Sequence, residues 1–108
     1  MRLRILSAAS RDLLRGKRFY EKQSEGLGDY FLDSLFSDID SLIVYAGIHR
    51  KFRGYFCLPS KRFPYAVYYR IESEEIRIFR IIDCRQNPSK TARALPIRES
   101  GSGGDWKE

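Results

Sequence analysis

The periodicity of apolar residues changes once along this chain, at Gly47, and that change sets the order of its elements. Before Gly47, apolar residues recur every three or four positions in two runs, 9–20 and 31–46, which predicts two amphipathic helices. Leu3 and Ile5 alternate with arginines and predict a short first strand. After Gly47 alternation predicts three further strands, at 52–58, 65–71 and 76–84. The order β-α-α-β-β-β indicates an α+β domain, with a helical hairpin packed on a small, mainly antiparallel sheet.

Small residues and strand composition refine this outline. Gly26 and Gly28 separate the two helices, Ser7 or Ser10 is expected to cap the first, and Gly47 is expected to end the second. The last strand has apolar side chains on both faces, so we expect it to lie inside the sheet. Its predicted faces are Ile76, Ile78 and Ile82 on one side and Phe79 and Ile81 on the other.

The length and composition predict one domain followed by a tail. The chain has 108 residues, 43% of them hydrophobic, which suffices for a single core without disulfides or a structural metal. We place the domain at residues 1–90. Residues 91–108, with a Gly/Ser-rich stretch at 100–104, are predicted to form a flexible tail. Trp106 is the residue of that tail able to act as an anchor for a partner.

The charge predicts an anionic partner. The formal net charge is +6, and a basic protein of this size binds polyanions or acidic proteins readily. Arg11, Arg15 and Arg18 follow at helical spacing and predict a basic ridge on the first helix. A solvated face kept charged for solubility explains the same pattern equally well.

A second group of candidate contacts lies in the strand region. Arg85 follows the last strand directly, where a rigid sheet would fix its guanidinium for bidentate contact with a phosphate or carboxylate. An ion pair with Asp83 is the alternative. The full set of predicted partner-binding residues is Arg11, Arg15, Arg18, Lys61, Arg62, Tyr65, Arg80 and Arg85.

Residues suited to catalysis or metal binding are few. His49 is the single histidine, and its cationic neighbours Arg50 and Lys51 are expected to lower its pKa and keep it neutral. Cys57 and Cys84 form no CxxC pair, and no glycine-rich phosphate loop is present. We therefore predict no metal site, no cofactor and no catalytic residue among these groups; whether the chain is an enzyme stays open, with a non-enzymatic binding protein favoured.

The hydropathy profile predicts a cytoplasmic protein with no membrane partner. The longest apolar stretch, residues 42–48, is too short to cross a bilayer, and no convincing secretory signal follows Met1.

Three segments carry a family likeness: residues 23–32 (QSEGLGDYFL), 62–69 (RFPYAVYY) and 83–88 (DCRQNP). In order and spacing they resemble the RelE/ParE superfamily of type II toxin-antitoxin toxins, and most closely its ParE-like, plasmid-stabilisation branch. The resemblance implies the same β-α-α-β-β-β fold. It also implies a toxin that inhibits growth by binding DNA gyrase and that is neutralised by a small cognate antitoxin.

The RelE-like branch implies a different chemistry, and this chain departs from it. That branch cleaves messenger RNA on the ribosome with bases on its second and third strands, an arginine after the last strand and a tyrosine near the carboxyl end. Only the arginine has a counterpart here, Arg85. Two alternatives remain open: a RelE-like endoribonuclease that uses Arg85, Lys61 and Arg62 to stabilise the phosphoryl transition state, and an inactive basic module. Direct nucleic-acid binding is expected to be secondary.

Overall fold

A computed structural model describes residues 1–97, in which a five-stranded sheet carries a helical hairpin on one face. The sheet order is β1-β5-β4-β3-β2, with β1 parallel to β5 and the other neighbours antiparallel. The predicted α+β class and the central place of the last long strand are confirmed. The elements are β1 (Arg2–Ile5), α1 (Ser7–Gln23), α2 (Leu27–Asp40), α3 (Leu42–Tyr45), β2 (Lys51–Phe52), β3 (Tyr55–Pro59), β4 (Tyr65–Glu72), β5 (Glu75–Asp83) and α4 (Pro88–Ala94).

The main core lies between the helical hairpin and one face of the sheet, which we call the helix face. The predicted stripe on α1 is buried, and α2 adds Phe31, Leu35 and Ile39. The two helices approach closely because Gly16 has no side chain: a Cβ there would lie 2.5 Å from the Phe31 ring. Gly28 similarly lies against α1, where a Cβ would come within 2.7 Å of the Lys17 carbonyl oxygen.

A β-bulge in β5 changes which of its side chains share a face. Tyr68 pairs with Arg80 and Tyr69 pairs with Ile78, so Phe79 is an extra residue in the ladder. Ile81 therefore joins Ile76 and Ile78 on the helix face, while Ile82 joins Phe79 on the outer face. The predicted faces of this strand were correct through Phe79 and wrong at Ile81 and Ile82, because strict alternation does not survive an inserted residue.

Several predicted element ends also differ. The predicted strand 52–58 is a hairpin, since Arg53 and Gly54 both have positive φ (56° and 89°) and form a two-residue turn between β2 and β3. The second helix is interrupted at Ser41, which separates α2 from α3. Neither Ser7 nor Ser10 caps α1, because the helix begins at Ser7 and Leu6 takes the N-cap position without a side-chain bond. Gly47 does lie beyond the last helical turn, with φ of 97°.

The outer face of the sheet is covered by the segment after β5, where a flexible tail from residue 91 was predicted. Asn87 accepts a hydrogen bond from the Ser89 N–H and caps α4, and Pro88 occupies the first turn. Leu95 is fully buried, and its carbonyl oxygen accepts a bond from Arg53. Residues 91–97 thus pack on the domain, whereas the rest of the predicted tail, with Trp106, lies outside the described residues.

Across residues 1–97, no helix is both long and apolar enough to cross a membrane.

Candidate partner-binding groove

Helix α1 is fastened to β5 by a buried carboxylate. Asp12 is 5% exposed and accepts two hydrogen bonds from the Arg80 guanidinium, at 2.7 and 2.9 Å. It also accepts the backbone N–H of Ile81 at 2.9 Å. Charge-assisted bonds of this kind are strong, and the residue after the bulge is thereby held under the helix. The contact between Asp12 and Arg80 therefore fixes the distance between α1 and β5.

A surface groove of about 230 Å³ opens beside this contact, and we call it the α1–β5 groove. Its apolar floor comes from Gly16, Phe19 and Ile82, and Phe19 is 48% exposed to solvent. The complete lining is Asp12, Arg15, Gly16, Phe19, Tyr65, Arg80, Ile81, Ile82, Asp83 and Gln86.

One arginine of the predicted ridge, Arg15, belongs to the groove lining. It has 70% of its side chain in solvent and lies 3.5 Å from Asp12. Arg11 and Arg18 are exposed on the same helix, one turn before and after it. Because Arg80 is already bonded to Asp12, the positive charge available to a ligand lies mainly on α1. These arginines can therefore attract carboxylates to the groove.

Arg85 is not part of the groove lining, but it pairs with Asp83, which is, and this is the pairing that was predicted as the alternative. Two guanidinium nitrogens of Arg85 donate to the two Asp83 carboxylate oxygens, at 2.9 and 2.8 Å. The Arg85 hydrogen bond holds the pKa of Asp83 below its usual value, and the same pair raises the pKa of Arg85. One Arg85 nitrogen also lies 3.4 Å from the Tyr20 hydroxyl. The arginine is thus fixed in direction and about half exposed.

Tyr65 lines the same groove but is poorly suited to proton transfer. Burial, with smaller effects from Tyr20 and Asp83, raises its pKa to about 12. A phenol with that pKa stays protonated near neutral pH and is a weak general base. Its ring instead packs with Tyr20 and Phe31, with centroid separations of 6.2 and 5.0 Å.

Lys61 and Arg62 are on the loop between β3 and β4, outside the groove lining. Asp38, a buried residue of α2, accepts the Ser60 hydroxyl at 2.7 Å and the Lys61 N–H at 3.3 Å. Phe63 inserts between aromatic rings of both long helices, with centroids 4.9 Å from Tyr20 and 5.1 Å from Phe31. The loop is therefore anchored, and both cations are exposed on it.

His49 lies in the segment between α3 and β2. Its Nδ1 is 2.5 Å from the buried Tyr69 hydroxyl, which also accepts the Gly47 N–H at 2.9 Å. Its pKa is lowered, as predicted, but the cause is burial rather than the neighbouring cations. Cys57 and Cys84 are free thiols. Within residues 1–97, no group of three metal-ligating side chains comes together.

Two residues that line the groove, Asp12 and Phe19, were not predicted from the sequence. Asp12 is one of them, although it fills the position that completes the apolar stripe of α1 at Ala9, Leu13 and Gly16. A carboxylate inside such a stripe is a usable signal for a buried partner across the core. Phe19 was missed as well, because it lies beside the stripe rather than on it.

The sequence matches, over residues 3–88, the family described as the ParE toxin of the type II toxin-antitoxin system parDE. Among solved structures, the fold is similar to a chain of a chromosomal ParDE toxin-antitoxin system from P. aeruginosa, with a TM-score of 0.67 and 22% sequence identity. The similarity covers 77% of this chain and 95% of the P. aeruginosa chain. At that identity it establishes a shared fold. No curated protein matches the sequence.

Proposed function

The chain belongs to the ParE toxin family of type II toxin-antitoxin systems, and on this premise we propose that it is a growth-inhibiting toxin of the cytoplasm. Its target is DNA gyrase, and a cognate antitoxin silences it. The observation that carries the proposal is the α1–β5 groove, which is lined by the exposed ring of Phe19 and by Arg15, one of three exposed arginines on α1. Such a surface suits a protein partner better than a small substrate.

The antitoxin segment that fits this groove is amphipathic and acidic. Its apolar side chains would cover Phe19, which is 48% exposed to water. Its carboxylates would pair with Arg15 and with the neighbouring Arg11 and Arg18. A segment that folds on contact gains both the apolar burial and the ion pairs, and together these offset the conformational entropy that it loses on folding.

The chemistry of the groove favours binding over bond breaking. Tyr65 stays protonated near neutral pH, because burial raises its pKa to about 12. Both Arg80 and Arg85 have carboxylate partners, and Lys61 and Arg62 lie on a loop outside the groove lining. General acid/base cleavage needs a group that exchanges a proton close to the operating pH. The paired arginines and the protonated Tyr65 therefore support an inhibitor that grips its target.

Purified gyrase provides the test. With the chain added, we expect loss of ATP-dependent supercoiling of relaxed plasmid or accumulation of cleaved DNA, and we expect the antitoxin to reverse the effect. A heat-unfolded sample of the chain is the control. Full supercoiling at a tenfold molar excess of folded chain would overturn the gyrase proposal.

Two other outcomes separate the alternatives. Intact gyrase activity together with cut transcripts in a translating extract would point to the ribonuclease, and loss of that cleavage in Arg85→Ala would place Arg85 in its site. Intact gyrase, intact transcripts and harmless expression would point to the inactive module. Weak, strongly salt-dependent nucleic-acid binding is expected of any basic chain and discriminates between none of these.

A further inference from the structure

A second groove lies on the outer face of the sheet, and we call it the outer-face groove. It is lined by the start of α1, by β3 and β5, and by the segment in which α4 ends. Its volume is about 270 Å³, whereas one water molecule takes roughly 30 Å³ of the liquid, so a large side chain fits. The apolar residues of its lining are Leu6, Ala8, Phe79, Ala94, Leu95 and Pro96.

The polar side chains of the outer-face groove are already bonded. The Tyr55 hydroxyl donates to the Pro96 carbonyl oxygen at 2.8 Å, and the Arg80 guanidinium donates to Asp12. Phe79 and Ala94 are half-buried, so part of the apolar lining still meets water. The groove therefore suits an apolar or aromatic side chain better than an ion.

The chain itself brings such a side chain close to this groove. Leu95 is fully buried, and its carbonyl oxygen accepts the Arg53 bond at 2.7 Å, which fixes the chain where Pro96 enters the lining. Residues 98–108 follow and read RESGSGGDWKE, in which Trp106 is the one large apolar side chain. Tryptophan has a large apolar area to bury. The nearest candidate occupant is thus part of the same molecule.

The residues between Pro96 and Trp106 allow the indole to return to the groove. In extended form, the nine residues 97–105 would span up to about 30 Å. Gly101, Gly103 and Gly104 lie among them, and glycine tolerates the positive φ that a tight reversal needs. A group tethered by a short Gly/Ser linker is held near its site at an effective concentration on the order of millimolar. Even a weak affinity between indole and groove then gives high occupancy.

Charge at the start of α1 favours the same arrangement. Within the described residues, no side chain caps this helix, and its first turn contains no acidic residue. The backbone N–H groups at a helix N-terminus attract negative charge. Asp105 directly precedes Trp106 in the sequence. An indole placed against Leu6 and Ala8 therefore brings the Asp105 carboxylate towards the start of α1.

We propose that Trp106 occupies the outer-face groove of its own chain, with Asp105 beside the N-terminus of α1. The contact joins the end of the chain to its first helix. Among the described lining residues, this groove shares only Arg80 with the α1–β5 groove. The proposal does not depend on which target the toxin binds.

The fluorescence of Trp106 tests the proposal directly, because the chain contains a single tryptophan. In the full chain we expect emission at a shorter wavelength than in the urea-unfolded chain, with several-fold weaker quenching by acrylamide. Both values should be unchanged between about 0.5 and about 50 µM, since the contact forms within one molecule. Emission like that of N-acetyltryptophanamide would overturn the proposal. A blue shift that appears only at the higher concentrations would mean docking into a second copy, and would overturn it as well.

A variant that fills the groove locates the indole. Ala8→Phe places a ring in the lining and should return the emission and the quenching of Trp106 to the values of the unfolded chain. Ser10→Phe is the matched control, because Ser10 is exposed in the same helical turn, outside the described lining, and both values should stay as in the wild type. Far-UV circular dichroism verifies folding, and Ala8→Gln replaces Ala8→Phe if the latter does not fold. Protected emission that the groove variant leaves unchanged would place the indole elsewhere and overturn the proposal.

Discussion

Two buried carboxylates, Asp12 and Asp38, each connect one helix of the hairpin to another part of the fold. Each fills a gap in the apolar stripe of its helix, and each reaches out of that helix to fix another element: Asp12 holds Arg80 on β5, and Asp38 holds the loop at Ser60. Helical spacing predicts that both positions are buried. It does not predict their partners, which are 68 and 22 residues away. Arg80 was therefore expected to be a free partner-binding cation, and the structure shows a paired one.

Asp12→Asn should destabilise the protein by about 2–3 kcal/mol. The amide retains the shape but leaves the Arg80 guanidinium without its counter-charge, and Arg80 keeps about a quarter of its side chain in water, which limits the cost. Asp29→Asn is the control, since the Lys17 pair it removes is largely exposed and should cost less than about 0.5 kcal/mol. Urea unfolding of both variants measures the difference, and equal midpoints would contradict it.

His49 should make stability depend on pH. Burial lowers the pKa of His49 in the folded protein, so the unfolded chain binds the proton more tightly. The contribution of neutral His49 to the free energy of unfolding is present above the unfolded pKa of about 6.5 and is lost as the pH falls below it. His49→Gln keeps a polar group near Tyr69 but does not titrate. Its free energy of unfolding should fall less steeply than that of the wild type between pH about 7 and about 5, and parallel curves would refute this.

At the scale of elements, the sequence predicted which segments are helices and strands but not their irregularities. The periodicity of β4 is strict, since Tyr65, Val67 and Tyr69 lie on the helix face and Ala66 and Tyr68 on the outer face. In β5 the bulge at Phe79 reverses the faces, and the consecutive apolar residues around it hide the inserted position from any pattern of period two. The hairpin at Arg53 was missed because arginine rarely adopts positive φ.

The C-terminal segment offers an element-scale test. Leu95 is fully buried on the outer face of the sheet with Tyr55 and Ile82, so Leu95→Ala should lower the free energy of unfolding by about 2–3 kcal/mol. Ile97→Ala, two residues on and 61% exposed, should change it by less than about 0.5 kcal/mol. Chemical denaturation of both full-length variants measures these changes in the free energy of unfolding. No loss in Leu95→Ala would mean that the segment detaches in solution.

At the scale of the whole molecule, the three segments that resemble the family meet at one end of the fold. Phe63 packs on Tyr20 and Tyr30, and the Cys84 N–H donates to the Pro64 carbonyl at 2.8 Å, next to Arg85. Their order and spacing sufficed to predict the family. The α1–β5 groove depends on α1 lying across β5, and local periodicity does not specify that packing.

Arg15 should matter to the antitoxin through its charge. We expect Arg15→Gln to weaken antitoxin binding about tenfold, because a charge-assisted contact in the groove is lost, and to reduce the salt dependence of the affinity. Arg93→Gln, an exposed arginine of α4, is the matched control and should bind within about twofold of the wild type. Titration calorimetry at two salt concentrations measures both quantities. Equal losses in the two variants would point to net charge alone.

Transcripts followed in growing cells show whether this toxin acts by binding and cleaves nothing itself. Expression of the chain should stop growth and perturb DNA supercoiling while full-length messenger RNAs persist, as seen by sequencing transcript ends shortly after induction. Transcripts cut within minutes of induction, with supercoiling undisturbed, would show instead that the toxin acts through RNA cleavage and would contradict inhibition by binding.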